Sequence, residues 1–134
     1  NRKGKPVITA FWKRETAYYK LEILLSDIPF KKMRQIDKGM LVYTVTPSYL
    51  LADRMTKIAE KAIRQHDDEK TKSHFYVADS LCRFALENRI EIDREAIETI
   101  KLVLPAAMQV LSGLIPEESL VSSGHRLKML IENQ

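Results

Sequence analysis

The sequence predicts a predominantly helical α+β protein, with a small N-terminal β-containing layer of two or three strands plus a short helix, packed on a bundle of about four or five helices. Three observations carry this. β-branched and aromatic residues concentrate before Pro47, in VITAFW (residues 7–12) and MLVYTVT (residues 40–46). From Ser48 onward the apolar residues recur with a helical period. A chain of 134 residues that is 45% apolar can also bury a core without disulfides or metal staples, so a single domain is expected over residues 1–134.

Residues 1–6, NRKGKP, are cationic, polar and interrupted by Gly4 and Pro6, and are expected to form a mobile basic arm. The β-containing layer should then occupy residues 7–46. VITAFW reads as a strand. Beyond it the pattern is ambiguous: Tyr19, Leu21, Ile23 and Leu25 share one face at period 2, whereas Ala17, Leu21, Leu24 and Leu25 form a stripe at period 3.6. The strand reading is preferred, with KRET as a hairpin tip, although the Asn-Gly or Asp-Gly of a tight turn is missing. SDIPFKKMRQIDKG carries helix punctuation, with Asp27 as cap, Pro29 in the first turn and Gly39 as the stop. On such a helix Phe30, Met33 and Ile36 or Asp37 face inward, leaving Lys31, Lys32, Arg34 and Lys38 outside. MLVYTVT is a strand that Pro47 ends.

The helical body should span residues 48–134. Leu51, Met55, Ile58 and Ala62, widened by Ala59 and Ile63, predict a helix to about His66. HDDEKTKS reads as a loop. A second helix carries Phe75, Ala78, Leu81, Cys82, Ala85 and Leu86 and ends near Asn88. Asp93 can cap a third, with the stripe Ile97, Ile100, Leu104, Ala107 and Leu111, which Pro105 should kink or divide. Gly113 closes it, Pro116 starts a short turn, and GHRLKMLIENQ supplies a last amphipathic helix. No internal repeat is expected, because the Trp, Gly, Tyr and Pro positions of tetratricopeptide units are absent.

Charge is distributed unevenly. Residues 1–38 hold 10 Lys+Arg against 4 Asp+Glu, while residues 39–134 hold 12 against 14. A basic end on a mildly acidic body suits an acidic partner such as nucleic acid. FWKRETAYYK (residues 11–20) adds two aromatic pairs among three cations, the combination that binds single strands by stacking and phosphate contact. In a strand, Phe11 and Trp12 point to opposite faces, as do Tyr18 and Tyr19, so one member of each pair is expected outside and the other in the core. The candidate contact residues are Arg2, Lys3, Lys5, Trp12, Lys13, Arg14, Tyr18, Lys20, Lys31, Lys32, Arg34 and Lys38.

Catalytic chemistry finds little support. His66 and Asp67 form a His-Asp pair of the kind seen in metal-dependent phosphohydrolases, but the other histidines, His74 and His125, both lie downstream, so the ligand set is incomplete. Cys82 sits on an apolar stripe without a local His and reads as an inert core thiol. Gly4, Gly39, Gly113 and Gly124 are too scattered for a phosphate-cradling loop. SSGHR (residues 122–126) could hold an anion at a helix start, or Ser122 and Ser123 could simply cap it. The expectation is therefore no enzyme, no cofactor and no metal. A nucleic-acid-binding regulatory or accessory protein is expected, whose helical body dimerises or recruits a protein partner; the alternative is a protein-interaction adaptor without nucleic-acid binding. A single cysteine and no apolar run near the roughly 20 residues of a membrane span point to a cytoplasmic or otherwise intracellular, reducing location and no membrane partner. The opening residue is Asn1, which leaves room for residues upstream.

Overall fold

The computed structural model describes residues 7–24, 33–37 and 41–132 and shows a predominantly helical α+β fold. Its elements are β1 (Val7–Arg14), β2 (Ala17–Leu24), β3 (Met33–Asp37), β4 (Leu41–Val45), α1 (Pro47–Ala59), α2 (Asp68–Glu87), α3 (Arg94–Ser112) and α4 (Glu117–Glu132). The chain divides into two compact units, Asn1–Lys31 and Lys32–Gln134.

In the first unit, β1 and β2 pair antiparallel in a hairpin whose register sets Phe11 opposite Lys20, Trp12 opposite Tyr19 and Lys13 opposite Tyr18. The preferred strand reading holds. Glu15 and Thr16 form the turn, and Glu15 takes a φ of 55°. A residue with a side chain is strained in this left-handed region, which is why glycine or asparagine usually marks such turns.

In the second unit, β3 and β4 pair antiparallel from Met33 opposite Val45 to Asp37 opposite Leu41. The predicted short helix is thereby overturned over Met33–Asp37; its cap at Asp27, its start at Pro29 and its stop at Gly39 lie outside the described residues. Only residues 38–40 separate the paired strand ends, so the strong β-former LVYTV pairs with its nearest neighbour in the chain and overrides a weak local helix pattern. The described strands thus number four, in two separate two-stranded sheets.

Helix α1 opens with Pro47 in its first turn, and Thr46 caps it by accepting from the Tyr49 N–H at 3.2 Å. It buries Leu51, Met55 and Ile58. It stops at Ala59, earlier than the stripe predicts, so Ala62 and Ile63 are exposed. A run of turns follows in which Gln65 adopts a φ of 55°, reversing the chain for α2. HDDEKTKS is a helix start and not a loop: the Asp67 carboxylate accepts from the Lys70 N–H at 2.7 Å, and Asp68 and Glu69 occupy the first turn, where the helix dipole favours acids. Helix α2 buries Phe75, Ala78, Cys82 and Ala85, with Thr71 and His74 beside them.

Helix α3 runs unbroken through Pro105, so the predicted division does not occur. Pro105 and Lys101 both lie on the exposed side, where water can hydrogen-bond the Lys101 carbonyl that the missing proline N–H leaves open. Asp93 stands at the N-cap position without a side-chain cap bond; its N–H instead donates to the buried Ser48 hydroxyl at 2.9 Å, joining the starts of α1 and α3. The expected stripe is buried at Ile97, Ile100, Ala107 and Leu111 and half-buried at Leu104. Gly113 caps the helix, and α4 begins directly after Pro116. The short turn and the final helix of the sequence reading are thus one helix. Helix α1 packs against α2 and α3, while α4 rests chiefly on α2. No helix among the described residues is long and apolar enough to cross a membrane.

Candidate nucleic-acid interface

The β1–β2 hairpin gathers five of the twelve candidate residues on one ribbon: Trp12, Lys13, Arg14, Tyr18 and Lys20. Cross-strand register decides their grouping. On one face Trp12 and Tyr19 stack, with ring centroids 5.4 Å apart and planes 13° from parallel, next to Ile8, Ala10 and Leu21 and with Arg14 toward the turn. On the other face cations and rings alternate. Lys13 lies 5.2 Å from the Tyr18 ring centroid and Lys20 lies 6.0 Å from that of Phe11, both within cation–π range.

The expectation that one ring of each pair is buried is not met, since Phe11 and Tyr18 are 74% and 79% exposed and Trp12 and Tyr19 are 47% and 45% exposed. A two-stranded ribbon by itself gives a side chain only its cross-strand neighbours to pack on, so it cannot bury these rings.

Arg2, Lys3, Lys5, Lys31, Lys32 and Lys38 lie outside the described residues, and Arg34 sits on β3, in register with Thr44. The helical face that was to collect Lys31, Lys32, Arg34 and Lys38 does not exist over Met33–Asp37.

Other chemistry-bearing residues are engaged elsewhere. Ser122, Ser123 and Gly124 fall inside α4, so SSGHR has no helix N-terminus to offer an anion. Arg126 instead binds Asp79 of α2 through Nε at 3.0 Å and Nη2 at 2.8 Å. Burial raises the Asp79 carboxyl, but hydrogen bonds from Arg126 and Ser123 and the nearby Arg126 and Arg83 charges outweigh it and hold the group below its ordinary range. Cys82 is buried, and burial pushes its thiol up to about 12, far from a nucleophile.

His66 and His74 do meet, with ring centroids 5.2 Å apart. Arg54 Nη1 stands 2.8 Å from His74 Nδ1. A guanidinium has only donors, so Nδ1 must accept and the imidazole is neutral. Burial first, and then the Arg54, Lys57, His66 and Lys70 charges, lower His74 to about 4. Sequence reasoning missed this pairing because it carried the loop from His66 through Ser73, over the first turns of α2 that position His74. The Asp67 cap and the acidic first turn were the available signal. Among the described residues, no group of three or more His, Cys, Asp or Glu side chains gathers as a metal site.

Comparison with protein families, with curated proteins and with solved structures gives no match.

Proposed function

We propose that this protein is a non-enzymatic nucleic-acid-binding regulatory or accessory factor, and that the β1–β2 hairpin is its contact surface. The observation that carries the reading is the pairing of Lys13 with Tyr18 and Lys20 with Phe11 on one exposed face, backed by the Trp12 and Tyr19 stack on the other. Lysines held beside exposed rings suit a ligand whose charged backbone and flat bases alternate along its length, the lysines meeting phosphates while the rings stack on bases. The basic arm residues Arg2, Lys3 and Lys5 precede the same ribbon in sequence and would extend its positive field, with Lys31, Lys32, Arg34 and Lys38 as further phosphate contacts. The helical body would dimerise or recruit a protein partner.

Separate replacement of the two kinds of residue tests the mode of contact. Trp12→Ala with Tyr18→Ala should weaken binding to an unstructured single strand by about 1–3 kcal/mol per lost stack and leave the salt dependence nearly unchanged. Equal weakening on duplex and single strand would contradict stacking.

A protein-interaction adaptor is the second reading. It is favoured by the exposed Tyr76 and Phe84, with half-buried Leu81 between them, on the outer side of α2. A helix of a partner protein, or a second copy of this chain, would cover such a stripe.

A further inference from the structure

Helices α3 and α4 leave a groove of about 480 Å³ between them. Its walls are Leu104 and Met108 of α3 and Leu127 and Ile131 of α4, and its outer end carries Lys101, Lys128 and Glu132. A four-residue link joins α3 and α4 as a helical hairpin, and Lys101, two turns into α3, lines the groove together with Lys128 and Glu132 near the end of α4. Lys128 reaches Glu132 only at 4.0 Å, the outer limit of an ion pair, and Lys101 has no partner among the described residues. The mouth is net cationic and the interior apolar.

Met108, Gly124 and Leu127 line both the groove and a second cavity of about 20 Å³ that reaches Phe75, Ala78 and Cys82 in the core. Gly124 lies in mid-helix with open space over its Cα, where an added Cβ would meet no heavy atom within 4 Å. A glycine there weakens the helix relative to alanine and leaves that stretch of the wall without a side chain. Met108, with its flexible thioether, stands between groove and inner cavity. A space that is cationic at its mouth and apolar along the roughly 10 Å from Gly124 to Ile131, at about 1.5 Å per residue, complements an elongated amphiphile with an anionic head.

We propose that the groove between α3 and α4 binds a single aliphatic chain ending in a carboxylate, with Lys101 and Lys128 at the carboxylate and the chain running past Met108 toward the core. The volume lies within the range of small-molecule sites.

The test is a titration of the full chain, followed by NMR, with dodecanoate below its micelle concentration. Dodecyltrimethylammonium and vesicles of neutral and anionic lipid serve as separate arms. One dodecanoate per protein is expected, with shifts confined to Met108, Gly124, Leu127 and Ile131. Lys101→Glu should weaken it at least tenfold without weakening the trimethylammonium compound. Gly124→Leu should abolish binding, and Met108→Trp, which fills the same space from the other helix, provides a second block should Gly124→Leu not fold. The proposal is overturned by no binding, by equal affinity for the two head groups, by several chains per protein with shifts spread over the hairpin, by vesicle binding in place of monomer binding, or by undiminished binding to both blocked variants.

Discussion

Cys82 and His74 face the same core from the same helix, and burial acts on them in opposite directions on the pH scale for one reason. Water stabilises the charged form of each group, so its removal raises the thiol to about 12 and lowers the imidazole to about 4. Both stay neutral at pH 7. For Cys82 this makes the side chain a small apolar filler, and Cys82→Ser should destabilise the protein by about 1–3 kcal/mol by burying a hydroxyl among apolar groups. A denaturant midpoint that does not move, together with free reaction of the wild-type thiol, would contradict this. For His74 the consequence depends on pH. Above its ordinary value of 6.5 the imidazole is neutral whether folded or unfolded, so stability is at its full level. As pH falls from 6.5 toward 4 the unfolded chain takes up a proton that the folded chain refuses, and stability declines across that window. His66, also lowered, adds a decline of the same sign. His74→Gln keeps an acceptor for Arg54 and cannot titrate, so urea midpoints at pH 7 and pH 4.5 should lie closer together than in the wild type.

Elements were legible in the sequence wherever their local signals agreed. The stripes of α2 and α3 and the β4 strand follow from periodicity and β-branched content, because burial of one face and local preference select the same conformation there. Met33–Asp37 was not legible: proline, glycine and an N-capping aspartate flank it as a helix, and only pairing with β4 makes it a strand. The end of α1 was hidden for a similar reason, since Ala62 and Ile63 continue the apolar period but the chain must reverse to pack α2 on α1. At the candidate site the aromatic-cation composition was readable, whereas the cross-strand partners depend on a register that the turn sets. That turn carries its own strain at Glu15. Glu15→Gly should stabilise the β1–β2 hairpin by about 1 kcal/mol, because glycine has no Cβ to clash at positive φ. Slower amide exchange across the Trp12 and Tyr19 pair would show it; faster exchange would contradict the turn geometry.

At the scale of the whole molecule, the cationic surplus of residues 1–38 and the exposed rings of the β1–β2 hairpin occupy the same end of the sequence, while the helical body from α1 to α4 supplies a core of its own. Binding through that basic end carries a thermodynamic mark that stacking alone does not, since each neutralised phosphate releases a condensed counterion. Affinity of the wild-type chain for duplex and for single-stranded DNA and RNA, measured over a series of salt concentrations, reads this mark. Log affinity should fall linearly with log salt, with a slope of about 0.9 per neutralised phosphate on duplex and about 0.7 on single strands. Reversal of Lys31, Lys32 and Arg34 to Glu should weaken every sequence alike and flatten the slope. Absence of measurable binding to any of these nucleic acids at low salt would contradict the nucleic-acid reading and leave the protein-interaction reading in its place.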